Sequence, residues 1–202
     1  KSGNIPKTLW KDIASLGFGG LYVSEENGGS GLSRLDATLV FEALSMSCPS
    51  VAAFLSIHNM CVSMIDKYGS SELIDKILPD ALKMDNVISY CLTEPGSGSD
   101  ASALKTRAEK TKNCYTLTGT KSFISGGGYS DSYLVMCRTG ESGPQGISTI
   151  YLEDGCAGLS FGALEEKMGW RAQPTRQVQL DQCEVPLSNL IGIEGSGFSY
   201  AM

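Results

Sequence analysis

The stretch Tyr90-Cys91-Leu92-Thr93-Glu94-Pro95-Gly96-Ser97-Gly98-Ser99-Asp100 stands where the hydrophobic period of the chain changes. Before it, apolar residues recur at helical spacing, and after it they alternate as they do in β-strands. An apolar run from Val87 to Leu92 predicts a strand. Pro95 and Gly96 are expected to end that strand, because Pro has no N–H to donate and Gly tolerates positive φ. The stretch therefore predicts the junction between a helical part and a β part.

The residues after Pro95 carry little side chain that could shield their backbone. Successive N–H groups in such a turn can converge on an anion, and the hydroxyls of Ser97 and Ser99 can assist them. Thr93 would add a hydroxyl at the end of the strand. An ordinary surface turn fits the same residues. The dinucleotide-binding fingerprint is absent, because Ala101 stands where its third glycine belongs, and so is a Walker A motif.

Helical spacing dominates the first part of the chain. An apolar face predicts a helix over Ile5–Leu16, and Gly17 is a suitable stop. Ser33 and Asp36 have the spacing of a capping box, which predicts a second helix that ends near Ser47. The buried face of this second helix is predicted from its apolar residues, which are Leu35, Leu39, Val40 and Leu44.

Two more helices are predicted before the β part. The stretch 50–68 is apolar nearly all round, which is typical of a helix buried between neighbours. The next helix begins at Ser70 or Ser71, and Pro79 is expected to break or kink it before a last short piece to Lys83.

The glycine-rich stretch 19–31 predicts a long loop with a short extended piece at 21–23. A phosphate-binding loop is the alternative. No helix follows these glycines closely with the spacing that such a loop needs, so ordinary loop geometry is favoured.

From Val87 onward the period of the pattern is two. The predicted strands are 87–93, 103–109, 114–124, 132–138, 146–152 and 175–181. Several short strands with turn signals between them are typical of a β-barrel or sandwich. We therefore predict an α+β fold. Its parts are an N-terminal all-α domain at 1–86, an antiparallel β-barrel or sandwich domain at 87–196, and the start of a further helix at 197–202.

Composition argues against several classes of function. The net charge of −6 and the absence of a basic cluster disfavour nucleic acid as a partner. No apolar run approaches the roughly 20 residues that span a bilayer. The seven cysteines form no C-x-x-C pair, so we expect reduced, mostly buried thiols in an intracellular protein.

His58 is the single histidine of the chain, which makes a zinc site or a Ser-His-Asp triad improbable. It lies on the apolar helix 50–68. A hydrogen-bonded core or interface histidine is the favoured interpretation, and a side chain that lines a ligand pocket is the alternative.

The string Tyr90–Asp100 resembles the flavin-binding signature of the acyl-CoA dehydrogenase family, T-E-P-G-x-G-S-D. Three later segments resemble other parts of that family's β domain, in family order: 117–125, 167–171 and 181–186. Within the family, three earlier segments resemble a member that acts on a short branched-chain acyl-CoA: 16–20, 28–36 and 56–61. The resemblance covers nearly the whole chain.

The resemblance implies a site for FAD and for an acyl-CoA substrate. It places the Thr93 hydroxyl and backbone N–H groups at the pyrimidine edge of the isoalloxazine, Ser125 near N5, and Ser99 at the pyrophosphate or the substrate thioester. Phe123 and Ser125 stand where many relatives have Trp and Thr, and they keep an aromatic face and a hydroxyl. The implied cofactor-binding residues are Tyr90, Cys91, Leu92, Thr93, Glu94, Pro95, Gly96, Ser97, Gly98, Ser99, Phe123, Ile124 and Ser125; Ser99 is also the implied substrate-binding residue.

The family reaction removes an α-proton with a glutamate base while the β-hydrogen leaves as a hydride to the flavin. No glutamate in this sequence matches the motif of that base, so no catalytic residue is assigned and the base is expected beyond Met202. Both ends of the chain look like cuts, and Gly197–Ala201 reads as the start of a helix. We therefore expect that the chain is a fragment without the family's C-terminal helical domain. Such a fragment is expected to be inactive alone and to bind FAD weakly.

The resemblance also implies a homotetramer of the mitochondrial matrix that passes electrons to electron-transfer flavoprotein. Another short or branched-chain acyl-CoA dehydrogenase is the alternative within the family. A non-catalytic scaffold or binding protein on the same fold is the alternative from another class. Trp170, Arg171 and Arg176 are expected at subunit or domain contacts.

Overall fold

A computed structural model describes residues 5–202, so the first four residues of the expected helical domain lie outside the described part. Within residues 5–202, four α-helices precede the first strand and a short fifth α-helix follows the last strand. Their bounds are α1 Lys7–Ser15, α2 Arg34–Ser47, α3 Pro49–Tyr68, α4 Ser71–Leu82 and α5 Gly197–Ala201. Among the described helices, none is both long and apolar enough to cross a membrane.

The predicted starts of α2 and α4 are confirmed by their caps. The Ser33 hydroxyl accepts from the Asp36 N–H while the Asp36 carboxylate accepts from the Ser33 N–H, which is the capping box at the start of α2. Helix α3 begins with Pro49, whose missing N–H is one of the unpaired donors of a first turn. The Ser70 hydroxyl caps α4 by accepting from the Leu73 N–H.

Of the predicted break or kink at Pro79, the break is wrong, because α4 continues through this residue as one helix. Pro79 and Asp75 both face solvent, so the Asp75 carbonyl that loses its intrahelical partner can be hydrated. Leu78 and Ala81 are buried on either side of the proline. Tertiary packing therefore holds the helix together across it.

Two other local predictions are also wrong. Residues 21–23 form turns rather than an extended piece, since the Leu21 N–H is tied to the Asn59 side chain at 2.7 Å. Leu35 and Leu39 are 71% and 57% exposed, so they do not mark a buried face. Helix α2 packs mainly on α3, and the residues it turns toward the core are Ala37, Phe41 and Leu44.

The eight strands form one mostly antiparallel sheet, in the order β6-β7-β3-β2-β4-β5-β8, with β1 paired in parallel to β4. The predicted α+β fold, helices followed by an antiparallel β domain, is confirmed. The short strands β6 and β8 were not predicted, and β7 runs five residues beyond its predicted end. The bounds are β1 Ile88–Cys91, β2 Arg107–Lys110, β3 Cys114–Ser125, β4 Ser132–Arg138, β5 Ile147–Glu153, β6 Leu159–Phe161, β7 Thr175–Pro186 and β8 Leu190–Ile191.

Helix α3 packs directly on β1 and joins the helices to the sheet. Its apolar side chains pack with α4 and with residues of β1, β4 and β5 in one core. His58 lies in this core, fully buried. Its Nδ1 accepts from the Ile88 N–H at 3.1 Å and its Nε2 donates to the Ala81 carbonyl at 3.1 Å. The prediction of a hydrogen-bonded core histidine is confirmed.

His58 should make stability depend on pH. Burial lowers its pKa to about 4, whereas an exposed imidazole has a pKa near 6.5. Between these values only the unfolded chain binds the proton, so the free energy of unfolding should fall by up to about 1.4 kcal/mol for each unit of pH lost from 6.5 to 4. Urea denaturation at a series of pH values measures this slope.

The His58→Gln variant can keep one hydrogen bond at each end but cannot titrate. Its slope over the same range should be shallower than that of the parent protein, because only the carboxylates remain to titrate there. Equal slopes for the two proteins would show that His58 is not kept neutral.

Candidate functional site

A cavity of about 180 Å³ lies at the seam between the helices and the sheet. Its walls come from α3, from the chain that leaves β1, and from the end of β3. The lining residues are Ile57, Met60, Tyr90, Leu92, Thr93, Phe123, Ile124 and Ser125. Six of these eight are predicted cofactor-binding residues, so the fold brings together residues about 30 positions apart in the sequence.

A larger cavity, of about 690 Å³, lies elsewhere, between α1, the glycine-rich loop and α4. Its walls include Gly17, Gly20, Gly28 and Gly29 together with solvent-facing lysines. None of the predicted site residues borders it, so size alone does not mark the functional site.

Phe123 has a backbone conformation that is unusual for an aromatic residue. Its φ is +57°, in the left-handed region, and its side chain is 67% exposed. The pairing of β3 with β7 shifts register between Lys121 and Ile124, so Phe123 lies in a β-bulge. Bulges of this kind redirect a side chain and are frequent beside functional sites. Here the bulge directs an aromatic ring outward at the cavity.

Thr93 is fixed by contacts with β3. The Ser122 N–H donates to the Thr93 carbonyl at 2.8 Å. The Lys121 ammonium donates to the Leu92 carbonyl at 3.1 Å and to the Glu94 carboxylate at 2.9 Å. The two residues that flank Thr93 are therefore held by the same lysine.

Glu94 was predicted to contact the cofactor, but its side chain turns away from the cavity. Its carboxylate is 7% exposed, pairs with Lys121, and accepts from the N–H groups of Lys105 and Thr106 at 2.7 and 2.8 Å. Burial alone would raise the pKa of Glu94. The ammonium and the two N–H groups more than offset this, so its pKa lies below the ordinary range and the carboxylate is charged. Burial lowers the pKa of Lys121, and Glu94 opposes that shift.

The loop after Glu94 forms a closed turn, as the surface-turn interpretation predicted, and not an anion-binding nest. Gly96 and Gly98 are not among the residues with positive φ, which a nest of converging N–H groups requires. The Ser97 hydroxyl is buried and donates to the Asp100 carbonyl at 2.6 Å, so it closes the turn. Ser99 is exposed and lies outside the cavity lining. Both glycines are open to solvent, since an added Cβ would meet no atom within 4 Å.

Cys91 also faces away from the cavity. Its side chain is fully buried in the core of the sheet, where burial raises the pKa of the thiol to about 12. All seven cysteines are free thiols, and four of them are buried. The prediction of reduced, mostly buried cysteines is confirmed.

Ser125 is oriented by a residue that sequence reasoning missed. The Gln173 side-chain amide is 2% exposed and donates to the Ser125 hydroxyl, and the Ser125 carbonyl accepts from the Ser89 hydroxyl at 2.5 Å. The next residue, Gly126, has a φ of +81°, and a Cβ there would collide with the Ser89 hydroxyl. No local pattern in the segment around Gln173 signals this contact.

The Tyr90 hydroxyl is buried and has no hydrogen-bond partner among the described residues. Burial raises the pKa of this phenol, so it stays protonated and can donate. Ile57 and Met60 belong to the apolar stretch 50–68, which predicted a buried helix; both line the cavity, and Ile57 also packs against the core. On a helix that is apolar nearly all round, spacing alone cannot separate core residues from wall residues.

Trp170, Arg171 and Arg176 do not line this cavity. Trp170 is 57% exposed with a φ of +52°, and Arg171 donates to the Lys167 carbonyl at 3.0 Å. Their expected role at subunit or domain contacts stays a prediction.

Comparison with known sequences identifies one family across the chain. The family model for the acyl-CoA dehydrogenase N-terminal domain matches residues 1–85, and the one for the acyl-CoA dehydrogenase middle domain matches residues 89–183. The mitochondrial isobutyryl-CoA dehydrogenase of Dictyostelium discoideum is 55% identical over 203 residues, which cover 100% of this chain and 49% of the relative. The chain spans about half the length of the curated relatives it matches.

Solved structures agree. A probable acyl-CoA dehydrogenase from Mycobacterium abscessus superposes with a TM-score of 0.94 at 35% identity, over 99% of this chain and 54% of that one. The FAD complex of PigA superposes with a TM-score of 0.92 at 31% identity, over 98% of this chain and 53% of that one.

The conformation of Phe123 should make glycine the more stable residue at this position. Phe123→Gly and Phe123→Ala both remove the ring, and only alanine keeps a Cβ at positive φ. We expect the free energy of unfolding of Phe123→Gly to be about 1 kcal/mol larger than that of Phe123→Ala. This difference already includes the opposing effect of glycine's greater entropy in the unfolded chain. Chemical denaturation of the two variants without ligand measures this difference. A more stable alanine variant would contradict the strained conformation.

Proposed function

Because the chain belongs to the acyl-CoA dehydrogenase family, we propose that it forms the N-terminal and middle domains of an FAD-dependent enzyme that oxidises isobutyryl-CoA to methacrylyl-CoA, in valine catabolism. The observation that carries this proposal is the cavity in which Thr93, Phe123 and Ser125 meet Ile57 and Met60. Hydroxyls and an outward aromatic ring lie there beside an apolar helix wall. Such a surface suits a ring system with one polar edge and one apolar edge.

The residues present fit an isoalloxazine. The ring of Phe123 and the side chain of Ile124 offer an apolar surface, while the hydroxyls of Thr93 and Ser125 offer hydrogen bonds. We place the Thr93 hydroxyl and backbone N–H groups at the pyrimidine edge and the Ser125 hydroxyl near N5. FAD would supply the hydride acceptor of the reaction.

The other predicted residues contribute in different ways. Leu92 would meet the ring from the cavity wall, while Cys91 and Glu94 would hold the strand from behind, since their side chains are buried. The exposed residues Pro95, Gly96, Gly98 and Ser99 would face the pyrophosphate or the thioester. Ser97 would keep this loop closed through its bond to Asp100.

The eight residues that line the cavity include no carboxylate and no imidazole. Removal of an α-proton needs a base within hydrogen-bond reach of the substrate. We therefore propose that the base, a glutamate, comes from outside residues 5–202, and that this chain alone is inactive and holds FAD poorly.

We place the acyl group against the α3 wall of the cavity. Ile57 and Met60 follow one another at i and i+3 on α3, so both side chains lie on one face of the helix. Their bulk limits the room beside Tyr90, which suits a branched four-carbon acyl group better than a long straight one. The similarity to the isobutyryl-CoA dehydrogenases supports the same substrate.

The full protein is proposed to be a homotetramer of the mitochondrial matrix that passes its electrons to electron-transfer flavoprotein. Its similarity to relatives that are named as mitochondrial supports the location. A non-catalytic scaffold on the same fold would have no need to keep Thr93 and Ser125 at the cavity beside a strained Phe123.

Thr93→Val tests the flavin site in the full-length protein. We expect FAD to dissociate about ten times more readily, because a hydrogen bond to the ring is worth roughly 1.5 kcal/mol when it is lost. The wild-type protein should bind FAD and lose its flavin absorbance on addition of isobutyryl-CoA. Fluorescence titration and anaerobic spectra measure the two properties.

Thr118→Val is the matched control, since Thr118 is an exposed residue of β3 outside the cavity. It should leave both properties unchanged. A full-length wild-type protein that neither binds FAD nor is bleached by an acyl-CoA would exclude the dehydrogenase function and favour the scaffold.

Met60→Ala tests the acyl specificity. A wider cavity should raise kcat/KM for 2-methylbutyryl-CoA relative to isobutyryl-CoA by about tenfold, since one methylene in an apolar pocket is worth about 1–3 kcal/mol. Steady-state rates of the full-length enzyme with both substrates give this ratio. Met64→Ala, a buried residue of α3 outside the cavity lining, should destabilise the protein without changing the ratio.

A further inference from the structure

Lys121 contacts both residues that flank Thr93. Its ammonium donates to the Leu92 carbonyl at 3.1 Å and to the Glu94 carboxylate at 2.9 Å. The next residue, Ser122, donates its N–H to the Thr93 carbonyl at 2.8 Å. Three contacts from two consecutive residues of β3 thus fix the position and the orientation of Thr93.

The contact with Leu92 also has an electronic effect on Thr93. The Leu92 carbonyl and the Thr93 N–H belong to one peptide group, whose electrons are delocalised over O, C and N. A cation that donates to the carbonyl oxygen draws electron density toward that oxygen. The N–H at the other end of the group then becomes a stronger donor, as it does in a chain of hydrogen bonds.

This effect is not screened by water. The side chain of Lys121 is fully buried and that of Glu94 is 7% exposed, so both charges act in a medium of low dielectric constant. The two ends of the ion pair also differ in their other contacts. The carboxylate accepts from the N–H groups of Lys105 and Thr106 as well, whereas the ammonium has the Leu92 carbonyl as its second partner.

We propose that Lys121 is a positioning residue that raises the reduction potential of a flavin bound in the cavity. It does so by holding and polarising the Leu92–Thr93 peptide group, so that the Thr93 N–H binds the negative charge of the reduced ring more strongly than the oxidised ring. This role rests on the FAD site proposed above. Lys121 does not line the cavity, so its proposed effect on the cofactor acts through the Leu92–Thr93 peptide group.

The test uses the full-length protein loaded with FAD and its midpoint potential, measured by equilibration with a redox dye. Lys121→Gln with Glu94→Gln removes both charges and keeps side chains that can hydrogen-bond. Lys121→Met with Glu94→Gln is the second variant, in case the first does not fold. Changing both partners avoids a buried unpaired charge, which alone can unfold a protein.

We expect either double variant to bind reduced FAD about tenfold less tightly relative to oxidised FAD, which for two electrons is a fall of about 30 mV in midpoint potential. Lys121→Arg keeps a cation beside the carbonyl and should restore most of the potential. The matched control changes the ion pair of Lys110, in β2, and Glu194, in the chain before α5. The Lys110 Nζ lies 2.6 Å from the Glu194 Oε2. Lys110→Met with Glu194→Gln should leave the potential unchanged.

The outcomes separate this proposal from the proposed function. A folded, FAD-loaded double variant with an unchanged potential overturns the role of Lys121 and leaves the FAD site standing. If the double variant binds oxidised and reduced FAD more weakly by the same factor, the proposal is also overturned, because a purely structural residue would give that result. A wild-type full-length protein that takes up no FAD overturns the proposed function, and this proposal with it.

Discussion

The buried ion pair between Lys121 and Glu94 connects the two chain segments from which the candidate site is built. One partner belongs to β3 and the other to the chain that leaves β1. Removing a charge from water is expensive, and the attraction of the pair repays that expense only when its remaining hydrogen-bonding groups are satisfied. Here the carboxylate takes two backbone N–H groups and the ammonium takes a carbonyl. The pair therefore stabilises one arrangement of the two segments, and it is the arrangement in which Thr93 reaches the cavity.

Helix α3 supplies the opposite wall, and its position depends on a second buried polar group. His58 bonds at once to β1 and to α4, so a shift of α3 along the sheet would break one of the two hydrogen bonds. The loss of a partner for a buried ring nitrogen costs about 1–3 kcal/mol. Ile57 is the neighbour of His58 in sequence and Met60 lies two residues further along the helix, so the register that satisfies the imidazole also places both side chains in the cavity.

Periodicity was sufficient to predict the helices and most strands, because each buries one face against a continuous core. Periodicity failed where contacts with neighbouring elements determine the local structure. Buried residues on both sides hold Pro79 within its helix, and α2, which packs mainly on α3, leaves Leu35 and Leu39 exposed. In the site, resemblance pointed to Thr93, Phe123 and Ser125, while the partner of Ser125 is Gln173, which is distant in sequence. Lys121 had a readable signal, since it continues the inward-facing series of Tyr115 and Leu117 on β3, where a lysine is out of place.

Two features of the cavity are unfavourable in the protein by itself. Phe123 holds a backbone conformation that costs of the order of 1 kcal/mol, with its ring directed into solvent. The Tyr90 hydroxyl is buried without a partner among the described residues, which costs a further amount of similar size. Sequences keep such local conflicts mainly at functional sites, where a ligand compensates for them. A flat aromatic ligand in the cavity would cover the exposed ring of Phe123. The strain at Phe123 therefore lies where a ligand can compensate for it, whereas the Tyr90 hydroxyl is enclosed by the protein and is out of reach of such a ligand.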